Sequence, residues 1–560
     1  MANSSIWLLG TLAFLLCNAH IKSSDQKHRP SYHFQPSKNW INGPMRYKGL
    51  YHMFYQHNPK AAIWSNYSIV WGHSVSKDLV NWFPLPHALI PSKPYDIKGC
   101  WSGSATMVHP MGRPVILYTG IDFKEHQTQN LVVPKNASDP FLREWVKSPK
   151  NPVMEPSNAN KINATSFRDP TTAWLGHDNL WRVLVGSQEG DRGMALLFLS
   201  KDFVNWVQAK HPLHSAKRTG MWECPDFFPV LTNGTIGLDT SINGPHVRHV
   251  LKVSLFDVSH DCYLIGTYDT TKDVFVPDHH KGFEHNESLI PRYDNGKFYA
   301  SKTFYDDAKK RRILWGWINE SSVPEDDIHK GWSGIQAIPR TLWLDKSGKQ
   351  LVQWPIEEVE KLRTNPVTLH SKILKAGTLL EVSGVTAAQA DVEISFEVNE
   401  LEKAQMLDPS WKMDPQLLCS GKNGTEAKVG LGPFGLLVLA SKNMQEYTAV
   451  FFKVFRTNKR YMVLMCSDQS RSSVNLKNDL TPYGAFVDVD PVHEELSLRC
   501  LIDHSVVESF GGEGKASIAA RVYPTLAIND EAHLHAFNNG TVHVKITTLS
   551  AWTMKKPNIN

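Results

Sequence analysis

Ser76-Lys-Asp-Leu-Val-Asn-Trp82 returns further along the chain, with one change, as Ser200-Lys-Asp-Phe-Val-Asn-Trp206. Each copy follows an apolar, strand-like run, so the same turn is used in equivalent sheets, as in a propeller. The copies begin at residues 76 and 200. Units of ~60 residues would place them two units apart, and the ~40–50 residues of commoner propeller repeats fit less well. Outward from this pair, about Tyr32 to Trp354 reads as short alternating segments broken by Gly, Pro, Asn and Asp. Leu50–Tyr55, Val115–Tyr118, Trp181–Gly186, Ala195–Leu199, His249–Leu255 and Arg312–Trp317 are examples, with no long helical period between them. That is an all-β pattern. Ile356–Leu374 is mixed, holds the only plausible short helix, Glu357–Arg363, and reads as a connector. Alternation resumes over Asp391–Val398, Leu436–Ala440, Tyr447–Phe455, Tyr461–Cys466, Leu496–Ile502, Val506–Phe510 and Thr541–Thr548, the spacing of a β-sandwich. The expected order is a β-propeller over 30–354, a linker over 355–374 and a C-terminal β-sandwich over 375–555.

The 560 residues exceed what one core supports, since cores stop growing near ~250–300 residues. Ile6 to Leu16 is an apolar run of signal-peptide length followed by small and polar residues, so residues 1–24 read as a secretory signal. It is too short for a membrane anchor, and no interior stretch reaches the ~20 apolar residues of a span. Beyond the signal, eight sequons agree with secretion: Asn66, Asn136, Asn163, Asn233, Asn286, Asn319, Asn423 and Asn539. Asn136, Asn163, Asn233, Asn286 and Asn423 are the glycosylation candidates. Beyond the signal lie Cys100, Cys224, Cys262, Cys419, Cys466 and Cys500. Their spacing is neither a dense disulfide framework nor a zinc site, and one disulfide plus buried thiols is expected. The net charge of +5 is dispersed, without the basic stripe of a nucleic-acid binder. It suits contact with acidic wall polysaccharide. The 18 Trp fit stacking on sugar C–H faces, although any one of them is more often sheet core.

Glycosidic hydrolysis uses two carboxyls flanking the scissile bond. Two acidic residues sit in suitably bent, aromatic segments. Asp169 lies in Phe167-Arg-Asp-Pro170, between a cation and a proline. Glu223 lies in Trp222-Glu-Cys-Pro-Asp226, where Trp and Cys neighbours can desolvate a carboxyl and raise its pKa, as a general acid requires. Taken singly, the first is more often a salt-bridged turn and the second a surface strand.

Longer blocks connect these segments. They are Asn39-Trp-Ile-Asn42 with Gly43-Pro-Met45, Tyr51-His-Met-Phe-Tyr-Gln-His-Asn-Pro59, Trp101-Ser-Gly-Ser-Ala-Thr106, Tyr299-Ala-Ser-Lys-Thr303, Trp315-Gly-Trp-Ile-Asn-Glu320 and Asp503-His-Ser-Val-Val-Glu-Ser-Phe510. In this order, almost end to end, they resemble the plant cell-wall invertases and fructan exohydrolases, the β-fructosidases of glycoside hydrolase family thirty-two. The resemblance implies a five-bladed propeller with a funnel-shaped site, then a β-sandwich, and a retaining double displacement. It implies that Glu223 is the acid/base and that Asp169 holds fructosyl hydroxyls and stabilises the oxocarbenium-like transition state, with Arg168 beside it. Asn42, Gln56, Trp64, Trp101 and Ser102 match sugar-contacting positions, and Cys419 and Cys466 match a disulfide of the sandwich. The Cys-Pro after Glu223 matches the cell-wall form. A secreted, apoplastic monomer acting on fructan or sucrose follows, with no cofactor, metal, nucleic acid or membrane. His279-His280 and Asp326-Asp327 read as solvated turns.

Two departures from the family matter. Its first block reads Trp-x-Asn-Asp-Pro-Asn-Gly-Pro, with the Asp as nucleophile, whereas here Gly43 and Pro44 directly follow Asn42. No Asp or Glu lies between Asp25 and Asp78, so no neighbouring carboxylate can replace it. An in-frame loss of three residues is what skipping a tiny exon would produce, and plant members have such an exon. The chain is then a splice or assembly product of an active hydrolase; the rival is a lineage that lost turnover and kept sugar binding. The second departure lies in Ser254-Leu-Phe-Asp-Val-Ser-His260. Sucrose-cleaving members tend to carry an acidic residue there and a basic one three positions on, a pair that can hold glucosyl hydroxyls by charge-assisted hydrogen bonds. Phe256 and Ser259 take those positions here, a pattern that looks like a fructan exohydrolase. A one-residue offset would instead place Asp257 there.

Overall fold

A computed structural model describes residues 27–41, 44–64, 68–108, 112–278, 290–408, 411, 414–421 and 430–559. The candidate signal, Asn42, His279-His280, Asn66, Asn286 and Asn423 lie outside the described residues. Five sheets, each four strands deep from axis to rim with short extra strands on some, follow one another and form a five-bladed β-propeller. Blade one joins Asn39–Ile41 and Pro44–Tyr47 to Leu50–Asn58, Val70–Ser76 and Trp82–Leu89. Blade two runs Gly99–Val108, Arg113–Ile121, Gln127–Pro134, Trp145–Lys147. In blade three, Phe167–Arg168 and Trp174–Leu175 share the innermost position ahead of Trp181–Glu189, Arg192–Ser200 and Trp206–Gln208. Blade four is Trp222–Leu231, Val247–Leu255, His260–Asp269, Val274–Pro277. Blade five is Phe298–Asp306, Arg311–Ile318, Arg340–Leu344, Leu351–Pro355. The ring closes where Asn39 and Trp40 pair in parallel with Trp332 and Ser333, from the blade-five region.

The repeated heptad joins the third strand to the outermost one in blades one and three, two blades apart. Its residues explain why the turn recurs. Ser76 Oγ accepts from Asp78 N–H and Leu79 N–H, and Asp78 Oδ1 accepts from Val80 N–H and Asn81 N–H. Ser200 and Asp202 make the same four bonds with Asp202, Phe203, Val204 and Asn205. Leu79 and Phe203 both take φ in the left-handed region, at 63° and 66°. Each closing Trp indole donates to the carbonyl three residues back, at 3.1 Å. Side chains that satisfy their own turn's amides make it self-sufficient.

The second domain packs a six-stranded sheet on a seven-stranded one around an apolar core that includes Val392, Phe396, Phe434, Phe452, Ile518 and Leu549. The connector expected over 355–374 is shorter than that. Glu357–Leu362 is a 3-10 helix, and Arg363–Leu374 is an edge strand of the six-stranded sheet, paired with Val544–Met554. Its mixed composition is that of an edge, with one face toward solvent. Two short helices were not anticipated, Pro324–Lys330 and Pro415–Cys419. The first corrects the reading of Asp326-Asp327 as a solvated turn: Asp327 is buried and accepts from Ser322 Oγ and the Lys330 ammonium. Cys419 and Cys466 form a disulfide, and Cys100, Cys224, Cys262 and Cys500 are buried free thiols. The domains meet through buried charge. Arg340 donates to Asp294 and Glu508, and His33 bridges Asp503 and Glu508. Among the described residues no helix is long and apolar enough to cross a membrane.

Candidate active site

At one end of the propeller axis, three inner strands slip register. The slips fall between Trp101 and Gly103, between Glu223 and Asp226, and between Tyr299 and Lys302. A bulge bends a strand and re-aims its side chains. In blades four and five the residue after the slip begins, Cys224 or Ala300, has φ of 44° or 54°; in blade three Asp169 has φ of 67°. Three successive blades thus turn a non-glycine residue left-handed at the same mouth, a conformation found mostly where the surroundings over-determine it.

Asp169 and Glu223 converge there through reciprocal links. Arg168 Nε donates to Glu223 Oε1 at 2.9 Å, and Cys224 N–H donates to Asp169 Oδ2 at 2.9 Å. The Tyr299 hydroxyl donates to Glu223 Oε2 at 2.7 Å. Asp169 is buried and its N–H donates to Thr119 Oγ1 at 2.8 Å, whereas the Glu223 side chain keeps 18% exposure toward the mouth. Burial raises the Glu223 pKa above the ordinary carboxyl value; Arg168 opposes this, and the neighbouring Asp169 charge reinforces it. Burial, with Glu223 adjacent, likewise pushes the Tyr299 phenol up, so it stays a hydrogen-bond donor. A carboxyl held toward its protonated form beside a second carboxylate is the division of labour expected of an acid and an electrostatic stabiliser.

The remaining candidates are placed as follows. The Arg168 guanidinium lies 5.6 Å from the Phe256 ring centroid, and Phe256 is 53% exposed. Asp257 is instead packed on Gly220, where a Cβ would fall 2.1 Å from its Oδ2. Ser259 lies in the same turn, with φ of 53°. The Trp64 and Trp101 rings are 5.7 Å apart, and Trp71 Nε1 donates to the Trp101 carbonyl at 2.9 Å. Ser102 sits within the blade-two slip, and Gln56 is buried opposite Trp71. Asn136, Asn163 and Asn233 are exposed.

Sequence reasoning assigned no role to Thr119, Gln127, Gln129 or Tyr299. Gln127 Oε1 accepts from Phe167 N–H and Arg168 Nη1, and Gln129 Nε2 donates to the Phe167 carbonyl. Together they fix the strand that presents Arg168 and Asp169. Nothing in the sequence marks Gln127 and Gln129, because the strand they hold comes near them only on folding.

The chain matches the glycosyl hydrolases family 32 N-terminal domain over residues 33–355 and the family 32 C-terminal domain over residues 358–553. It is 64% identical over 530 residues to the cell-wall isozyme of beta-fructofuranosidase from Pisum sativum, covering 94% of each chain. To fructan 6-exohydrolase from Beta vulgaris it is 59% identical over 543 residues, covering 96% of this chain and 88% of that one. Among solved structures, fructan 1-exohydrolase IIa from Cichorium intybus aligns with a TM-score of 0.91 at 53% identity, covering 95% of this chain and 98% of that one. A variant of the same Cichorium enzyme has been solved in complex with 1-kestose.

Proposed function

The chain belongs to glycosyl hydrolase family 32 and is by family a β-fructofuranosidase, and on that premise we propose that its site is shaped for the terminal fructose of a fructan in preference to sucrose. The observation that carries this reading is the Phe256 ring on Arg168, the guanidinium that holds Glu223. An aromatic face there offers apolar contact to the leaving sugar and no charge-assisted bonds to a glucosyl unit. Glu223 serves as the acid that protonates the leaving oxygen, and Asp169 stabilises the oxocarbenium-like transition state while holding fructosyl hydroxyls. Trp64, Trp101, Ser102 and Gln56 line the sugar's approach, and the family resemblance alone assigns Asn42 to the same role. Exposed sequons, a relative named as a cell-wall isozyme and another named as an insoluble isoenzyme support secretion to the apoplast.

A retaining displacement also needs a nucleophile, and the sequence between Asn42 and Gly43 lacks it. Removing one member of a catalytic unit lowers rate by roughly 10⁴–10⁶. The chain as written therefore binds fructosides with negligible turnover, and a non-catalytic fructan- or sucrose-binding role is the second reading; it is favoured by the intact pairing of Asp169 with Glu223. One experiment separates them. The chain is assayed as written and with Asp-Pro-Asn inserted after Asn42, on sucrose, 1-kestose, inulin and levan. The expected result is fructose release only after insertion, faster from fructan than from sucrose. Faster sucrose cleavage overturns the substrate preference, and turnover by the chain as written overturns the claim of a missing nucleophile. Sequencing the transcript across residues 42 and 43 distinguishes an exon skip from a fixed loss.

A further inference from the structure

Two lysines lie beneath the candidate site, Lys252 and Lys302, both buried. Lys252 has a conventional arrangement. It pairs with Asp261 at 3.2 Å and donates to Ser254 Oγ, Ser301 O and Cys224 O. Lys302 does not. Among the described residues its hydrogen bonds go only to main-chain carbonyls: Pro225 O at 2.8 Å, and Asp169 O and Pro170 O at 3.4 Å each. An ammonium has three N–H donors and here meets three oxygens. Two of them flank the stabilising carboxylate of blade three, and the third lies two residues past the acid of blade four.

A buried cation that hydrogen-bonds no carboxylate is costly even with the charges of Asp226 and Asp169 nearby, and an apolar side chain of the same length would fill the volume without that cost. Burial also pulls the Lys302 pKa down from its ordinary value. What the ammonium supplies that a methionine could not is attraction for oxygens on two different loops. Those loops are also the ones turned left-handed, at Asp169 and at Cys224 beside Pro225. Without a donor at the hub, the inward carbonyls would be buried acceptors lacking partners, and the loops would relax toward commoner backbone conformations.

We propose that Lys302 is a positioning residue, whose ammonium, by binding the carbonyls of Asp169, Pro170 and Pro225 together, sets the placement of the Asp169 and Glu223 carboxyls relative to each other. The proposal rests on the functional reading above and adds a residue whose hydrogen bonds go to the main chain.

Calorimetric titration of 1-kestose into the full chain tests it. Lys302→Met weakens binding at least tenfold. Lys302→Gln, whose amide restores two donors, recovers part of that loss, a gradation that simple cavity filling would not produce. In an Asp169→Asn background, Lys302→Met adds less than a threefold loss, because the geometry it supports is already compromised. Equal binding by Lys302→Met and the parent overturns the proposal, as does a tenfold loss that persists undiminished in the Asp169→Asn background. If Lys302→Met fails to fold, Lys302→Gln in the two backgrounds decides by the same comparison. A parent chain that binds neither 1-kestose nor sucrose overturns the functional reading, and this proposal with it.

Discussion

The turns at 76–82 and 200–206 and the strand ends at 101, 223 and 299 belong to the same five blades, yet only the turns are copies of one another. The turns close a blade at its rim, and a serine and an aspartate satisfying local amides suffice wherever that task recurs. The strand ends face the axis, where each blade contributes a different group: an indole, a carboxyl or a phenol. What they share is a device, the register slip, and no sequence. Architecture repeats as residues, whereas chemistry repeats only as backbone geometry.

The largest test of this contrast is at the mouth. With Asp-Pro-Asn inserted, Glu223→Gln should lower kcat on 1-kestose by roughly 10²–10⁴, the range a general acid supplies, while circular dichroism stays unchanged. A fall below tenfold would mean that the acid lies elsewhere. The rim responds in stability. Trp82 is 2% exposed and packs edge-on against Phe34 and Trp315, whereas Trp206 is half-buried. Trp82→Ala should cost about 3–5 kcal/mol, and Trp206→Ala roughly half as much, compared by thermal denaturation. Equal losses would show that the turn itself, and not its packing, sets the cost.

The smallest effect concerns pH. In the proposed role Glu223 works protonated, so activity should fall as pH rises through its folded-state pKa. Tyr299 donates to the charged form and so holds that pKa below where burial alone would put it. Tyr299→Phe should move the alkaline limb of the kcat/KM profile of the repaired chain to higher pH. A shift the other way would mean that Tyr299 acts on another group.

Much of this was readable before any coordinates. The heptad and the alternating runs gave the all-β class, and the family blocks gave five blades, the Cys419–Cys466 pair and the convergence of Asp169 with Glu223. Arg363–Leu374 reads as a linker in sequence because an edge strand with one wet face has a linker's composition. Thr119, Gln127 and Lys302 stayed silent because they act through main-chain groups brought near only by folding. Asp327 looked solvated because its partners Lys330 and Ser322 lie on the same short helical turn and the loop before it, outside any recognisable pattern.

The register slips have a corollary for length changes. On the two sides of residues 42 and 43, Ile41 pairs with His57 and Pro44 with Met53. Such places act like expansion joints: a strand can gain or lose residues at its inner tip while its far half keeps the same neighbours. A copy shortened there is expected to leave the cell as sound a molecule as its full-length sibling, so passing quality control is no certificate of competence.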